Sequence, residues 1–138
     1  MNFSTEIETL IRARYPILYI ISSEEIRVQN VIVEIAKKRQ KKVFEWSYST
    51  GIVPAGTSIQ SHKNRNAATK DPLLALDQVI EQVEPAIFIF KDFHPFLTKN
   101  NFAVVRKLKE IALHLKNSFK TIVLIAPMLE IRRNWKRR

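Results

Sequence analysis

The chain reads as an α/β domain of three layers, with helices on both faces of a parallel sheet of about four strands. Two observations predict this class. Short apolar runs at 17–21 (ILYII), 42–46 (KVFEW), 86–90 (AIFIF) and 121–126 (TIVLIA) alternate with stretches whose apolar residues recur at helical spacing. Strands separated by helices imply parallel pairing through crossover connections. The runs at 86–90 and 121–126 are also apolar nearly throughout, as expected of strands covered on both faces. The expected strand order is 1-4-3-2.

A first helix is expected from about Thr5 to Arg14. Thr5 and Glu8 have capping-box spacing, and Ile7, Leu10 and Ile11 share one face. Pro16 separates this helix from the first strand. The turn Ser22-Ser23-Glu24-Glu25 follows, then a helix reaching Arg39. Its Val28, Val31, Ile32 and Ile35 follow core-facing spacing. Ser23 is the expected N-cap, and Glu24 and Glu25 suit the positive end of the helix dipole. After the second strand, residues 47–70 show no convincing periodicity. They hold both glycines, Gly51 and Gly56, together with His62, Lys63, Arg65 and Lys70, and no acid. A long basic loop is expected there.

The next helix is well marked. Asp71 caps it, Pro72 takes its first position, and Pro85 closes it. Leu73, Leu76, Ile80 and Val83 form its expected buried face. The third strand ends in Lys91-Asp92-Phe93-His94-Pro95. A long helix follows from about Thr98 to Lys116, with Val104, Leu108, Ile111 and Leu115 inward. Pro127 ends the fourth strand. The expected organisation is one domain over 1–131 and a basic tail over 132–138.

The 138 residues carry 23 lysines and arginines against 13 acids, a formal net charge of +10. Two clusters hold much of the excess: Lys37, Lys38, Arg39, Lys41 and Lys42, and Arg132, Arg133, Lys136, Arg137 and Arg138. With Lys63 and Arg65 these are candidate polyanion contacts, since such patches release counterions from phosphates. Cations at a helix C-terminus also suit the macrodipole, which is the plainer account of the first cluster. The absence of cysteine excludes disulfides, thiolate metal sites and cysteine nucleophiles. His62, His94 and His114 lack ligand spacing, so no metal site is expected. No apolar run is long enough for a membrane span, and the N-terminus lacks the pattern of a signal peptide.

The stretch ILYIISSEEIRVQNVI at 17–32 has the strand–turn–helix geometry that holds phosphate in nucleotide-binding proteins. Its turn has neither the glycines nor the lysine of a phosphate loop, and it carries two carboxylates. Repulsion between a carboxylate and a phosphate at ~4 Å is about 4 kcal/mol at an effective dielectric of ~20. Asp92, at the end of an apolar strand, stands where a Mg²⁺-orienting aspartate would be, but Phe93 follows rather than a water-polarising glutamate. Ser22, Ser23, Glu24, Glu25 and Asp92 are therefore expected to form a degenerate nucleotide site, with no catalytic residue.

The stretches LIRARYPILYIISSEE, KVFEWSYSTGIV, DPLLALDQVIE and AIFIFKDFHPFL together resemble one family. It is the cyanobacterial and plastid AAA-type ATPases encoded by hypothetical chloroplast open reading frame forty-six. The resemblance covers roughly residues 3 to 130 and only the N-terminal part of the family. It implies a P-loop-NTPase or RecA-like fold without a functional P-loop. It also implies a catalytic AAA domain further along in full-length members and a cyanobacterial cytoplasm or plastid stroma as the location. In that family fold a further strand would cover the edge of strand one, leaving Ile17–Ile21 here as an open edge. The leading expectation is a non-catalytic protein-interaction or regulatory module, partnered by another protein or by itself, with no cofactor. The alternatives are weak binding of ATP and Mg²⁺, and non-specific binding of nucleic acid.

Overall fold

The computed structural model describes residues 2–56, 66–98 and 100–127. The elements run in the order α1 (Phe3–Arg12), β1 (Ile17–Ile21), α2 (Glu25–Arg39), β2 (Lys42–Ser47), β3 (Gly51–Pro54), a 3-10 turn (Ala67–Lys70), α3 (Pro72–Glu81), β4 (Ala86–Lys91), a second 3-10 turn (His94–Leu97), α4 (Phe102–Leu115) and β5 (Lys120–Ala126). They build one sheet in the order β1-β5-β4-β2-β3. β1, β5, β4 and β2 are mutually parallel. β3 is antiparallel to β2.

The sheet is therefore mixed and five-stranded, not the four-stranded parallel sheet expected. The four expected strands stand in the expected succession, and β3 extends the whole order by one. β3 escaped notice because four residues, Gly-Ile-Val-Pro, are too few to show a period. The stretch 47–70 is accordingly not one loop. It contains β3 and the first 3-10 turn, while His62, Lys63 and Arg65 lie outside the described residues.

Side-chain alternation divides the sheet between two cores. Trp46, Phe88, Phe90, Ile122 and Leu124 face α3 and α4, against Ala75, Leu76, Val79, Val104, Ile111 and Leu115. Leu18, Ile87, Ile89, Val123 and Ile125 face α1 and α2, against Ile7, Ile11, Val28, Ile32, Ile35 and Ala36. Neighbouring residues of β4 and β5 thus feed opposite layers, which is why both strands read as continuous apolar runs. Aromatic rings dominate the first core. Trp46 stacks on Phe90 at 5.3 Å and meets Phe93 edge-on at the same distance.

Several helix ends differ from expectation. Asn2, not the Thr5–Glu8 box, caps α1, its Oδ1 accepting the Thr5 N–H at 2.8 Å. Glu24, not Ser23, is the N-cap of α2, and Ser22 Oγ accepts the Glu24 N–H at 3.0 Å. Asp71 does cap α3, accepting from the Leu73 N–H at 2.8 Å. Leu73, Leu76 and Ile80 pack on the core as expected, joined by Ala75 and Val79, but Val83 is 93% exposed because α3 stops at Glu81. The C-terminus of α3 is closed from the sheet. Lys120 Nζ donates to the carbonyls of Val79, Ile80 and Gln82 at 2.8–2.9 Å, and burial pushes its pKa below the ordinary lysine value.

The hairpin from β2 to β3 is locked by the first 3-10 turn. Ile52 N–H donates to Thr69 Oγ1, Trp46 Nε1–H to the Thr69 carbonyl, and Asn66 N–H to the Thr50 carbonyl. Gly51 lies at φ +72°, and a Cβ there would strike the Asn66 carbonyl oxygen and Thr69 Oγ1. Gly51→Ala is expected to destabilise the domain by about 3 kcal/mol, from left-handed strain and overpacking together. Gly56→Ala, at φ +90° but facing open space, is expected to cost only about 1 kcal/mol. Urea unfolding of both variants checks the contrast; equal losses would show that backbone strain alone, not the contact with the turn, matters.

Candidate functional site

The ends of β1, β4 and β5 and the start of α2 meet where a phosphate loop would lie. Ser22 N–H donates to the Ala126 carbonyl, so the turn after β1 continues the ladder to β5 before α2 begins. Beneath the first turns of α2, strand alternation aims two charged side chains at the α2 side of the sheet. One is Glu45 from the middle of β2; the other is Lys91 from the end of β4. Lys91 Nζ lies 2.9 Å from Glu45 Oε1 and 3.8 Å from Glu25 Oε2. The Lys91 and Glu45 side chains are only 9% and 1% exposed. The other Glu45 oxygen accepts from Gln29 Nε2 at 3.3 Å and from the Gly56 N–H.

This cluster joins α2, β2, β4 and the residue that follows the β3 hairpin. The Lys91 charge is met within the chain, because its ammonium sits between two carboxylates. A buried pair of this kind is held by geometry and by added hydrogen bonds, because desolvation removes much of the Coulomb gain. Gln29 and the Gly56 N–H supply such bonds.

The residues expected at the degenerate site, Ser22, Ser23, Glu24, Glu25 and Asp92, are placed separately. Glu25 joins the cluster through Lys91. Glu24 turns outward and pairs with Arg27 at 2.9 Å, an exposed contact worth about 0–1 kcal/mol. Ser22 closes the turn, and Ser23 is exposed. Asp92 is exposed, adopts left-handed backbone at φ 53°, and donates its N–H to the Ile125 carbonyl. It makes no hydrogen bond or ion pair with Ser22, Ser23, Glu24 or Glu25. Among the described residues no group of three or more His, Asp or Glu could hold a metal ion.

Sequence reasoning missed Glu45, Lys91 and Gln29. The signal was an acid inside KVFEW and a lysine ending AIFIFK. Both fall on the odd-numbered face that also carries Val43, Ile87 and Ile89.

The basic cluster at the end of α2 is mostly neutralised. Lys37 pairs with Glu34, Lys38 and Arg39 with Glu8, and Lys42 with Glu84. Lys41 instead donates to the Phe119 carbonyl at 3.2 Å. Burial, then Arg14 and Arg39, hold its pKa below the ordinary lysine value. Lys63, Arg65, Arg132, Arg133, Lys136, Arg137 and Arg138 lie outside the described residues.

A mostly parallel sheet with helices on both faces places the chain in the class of open, three-layer α/β domains. Residues 3–134 match the model of the N-terminal domain of SpoVK-like AAA ATPases, and the chain belongs to that family. It is 37% identical over 135 residues to the uncharacterized AAA domain-containing protein ycf46 of Guillardia theta. It is 34% identical over 134 residues to the ycf46 protein of Trieres chinensis and 28% identical to that of Pyropia yezoensis. Each match covers 95% of this chain but only 25–26% of the relative, so the chain spans about a quarter of their length. No solved structure matches.

Replacing Lys91 by methionine removes the only ammonium placed between Glu45 and Glu25 among the described residues. Lys91→Met is expected to destabilise the domain by about 3–5 kcal/mol through the buried carboxylate left behind. Adding Glu45→Leu to Lys91→Met is expected to restore more than half of that loss in a double-mutant cycle by urea unfolding. Additive losses would show that the two side chains do not act as a pair.

Proposed function

We propose that this domain is a non-catalytic module of an AAA-type ATPase, serving protein interaction or regulation, with no nucleotide of its own. One observation carries the reading: Glu25 and Glu45 already take the charge of Lys91, the cation beneath the start of α2. A phosphate arriving there would meet two carboxylates and a lysine already neutralised. The turn above it has no glycine through which backbone N–H groups approach a phosphate closely. Any ATP hydrolysis is assigned to the part of the longer relatives that this chain does not span. The cytoplasm of a cyanobacterium or a plastid stroma is the proposed location, resting on the relatives. No helix among the described residues is long and apolar enough to cross a membrane.

Isothermal titration with Mg-ATP is expected to give no binding heat at micromolar concentrations of the chain. Micromolar affinity, lost in Asp92→Asn, would replace this reading with a nucleotide site at Ser22–Glu25 and Asp92.

The edge of the sheet favours contact with a second copy. Among the described residues β1 pairs only with β5, so the parallel ladder leaves the N–H and C=O groups of Ile17, Tyr19 and Ile21 directed outward. Ile21 is 42% exposed. The opposite edge, β3, is covered by the 3-10 turn through Thr69. An apolar open edge is a template for strand pairing. Light scattering is expected to show dimers that grow with concentration and disappear in Ile21→Lys. A monomer at every attainable concentration would remove self-association from the proposal.

A further inference from the structure

α1 and α2 both end in a residue of left-handed backbone at the end of the sheet opposite the Lys91 cluster. These are Arg14 at φ 63° and Gln40 at φ 56°. In each case the next residue returns its N–H to the helix, Tyr15 to the Leu10 carbonyl and Lys41 to the Ala36 carbonyl. Glycine is the usual residue at such a position, because a side chain is strained there. The chain keeps a charged side chain at Arg14 instead. An observed outlier of this kind raises a hypothesis of function.

The two helix ends converge on Phe119. The Arg14 guanidinium lies 4.3 Å from the centre of the Phe119 ring, and Lys41 Nζ donates to the Phe119 carbonyl. Arg39 adds a third cation close enough to disfavour the charge on Lys41. Arg39 is paired with Glu8, but Arg14 and Lys41 have no acid partner among the described residues. Beside these cations two rings stand open: Tyr15 is 52% and Phe119 54% exposed.

Cations attracted only to the dipoles of the helix ends would not need exposed rings among them, nor an arginine held in left-handed backbone. Cations interleaved with aromatic faces, two of them without an acid partner among the described residues, match a phosphodiester chain with unstacked bases. An acidic peptide would use the cations and leave the rings idle. We propose that Arg14, Tyr15, Arg39, Lys41 and Phe119 form a contact surface for single-stranded nucleic acid. It lies at the far end of the sheet from the site described above and does not depend on that reading.

The test is fluorescence anisotropy of the full chain with a labelled oligothymidylate of about 12 nucleotides, beside a labelled polyglutamate peptide of similar charge. The oligonucleotide is expected to bind at least about fivefold more tightly than the peptide. Its affinity is expected to fall about tenfold or more between 50 and 200 mM salt, for some three phosphates neutralised.

Arg14→Gly is the telling variant, because glycine suits the backbone there. Its melting temperature is expected to hold, while affinity falls about fivefold. Tyr15→Ala is expected to lower affinity for the oligonucleotide and not for the peptide. A control of equal charge change, Arg27→Glu with Arg106→Glu, is expected to shift affinity less than about threefold against tenfold or more for Arg14→Glu with Lys41→Glu. Equal affinity for the peptide, no binding of the oligonucleotide, or unchanged affinity in Arg14→Gly each overturns the proposal.

Discussion

The pair of Lys91 and Glu45 is the constraint around which this domain is arranged. It lies between the sheet and α2, where an all-apolar core would be easier to build. Removing a lysine and a glutamate from water is costly unless each remains paired and hydrogen-bonded. The pair therefore holds its neighbours in place. β2 and β4 must stay in register so that residues 45 and 91 share a face. α2 must start at Glu25 so that its carboxylate reaches Lys91. The chain leaving β3 must pass close enough for Gly56 to offer its N–H.

The same pair explains the appearance of the strand–turn–helix after β1. In a nucleotide-binding protein the positive groups at this corner face a bound phosphate. Here the chain supplies its own anions from Glu25 and Glu45. The charge of Lys91, beneath the start of α2, is thus met within the chain. Interaction surfaces then have to be sought elsewhere, at the open edge of β1 and at the far end of the sheet. At the first, backbone groups of β1 lack partners among the described residues; at the second, Arg14 and Lys41 lack an acidic one.

Much of the fold could be read from period alone. The apolar runs of β4 and β5, the spacing of Val28, Ile32 and Ile35, and the Asp71-Pro72 start of α3 each state their structure locally. β3 was hidden, because four residues carry no period and its existence depends on pairing with β2. The end of α3 was misread by about one turn, while Leu73, Leu76 and Ile80 do pack on the core. The expected helix continued to Pro85, whereas α3 ends at Glu81 and Lys120 closes its carbonyls from a strand nearly forty residues away. The site was legible only in part. The SSEE turn and Asp92 stood out by analogy with phosphate sites, yet Asp92 takes no part in the cluster.

What the sequence determined by itself was the class of fold, the four main strands and their adjacency. These follow from local periodicity, caps and the alternation of strand with helix. What only the tertiary structure decided was which charges meet. Glu45, Lys91, Glu25 and Gln29 come from three elements spread over 67 positions. Arg14, Lys41 and Phe119 come from three separate helix-to-strand turns. Side-chain direction in a strand can be counted along the chain. The neighbour that a side chain meets depends on how strands and helices pack across long sequence distances, and no local pattern encodes it.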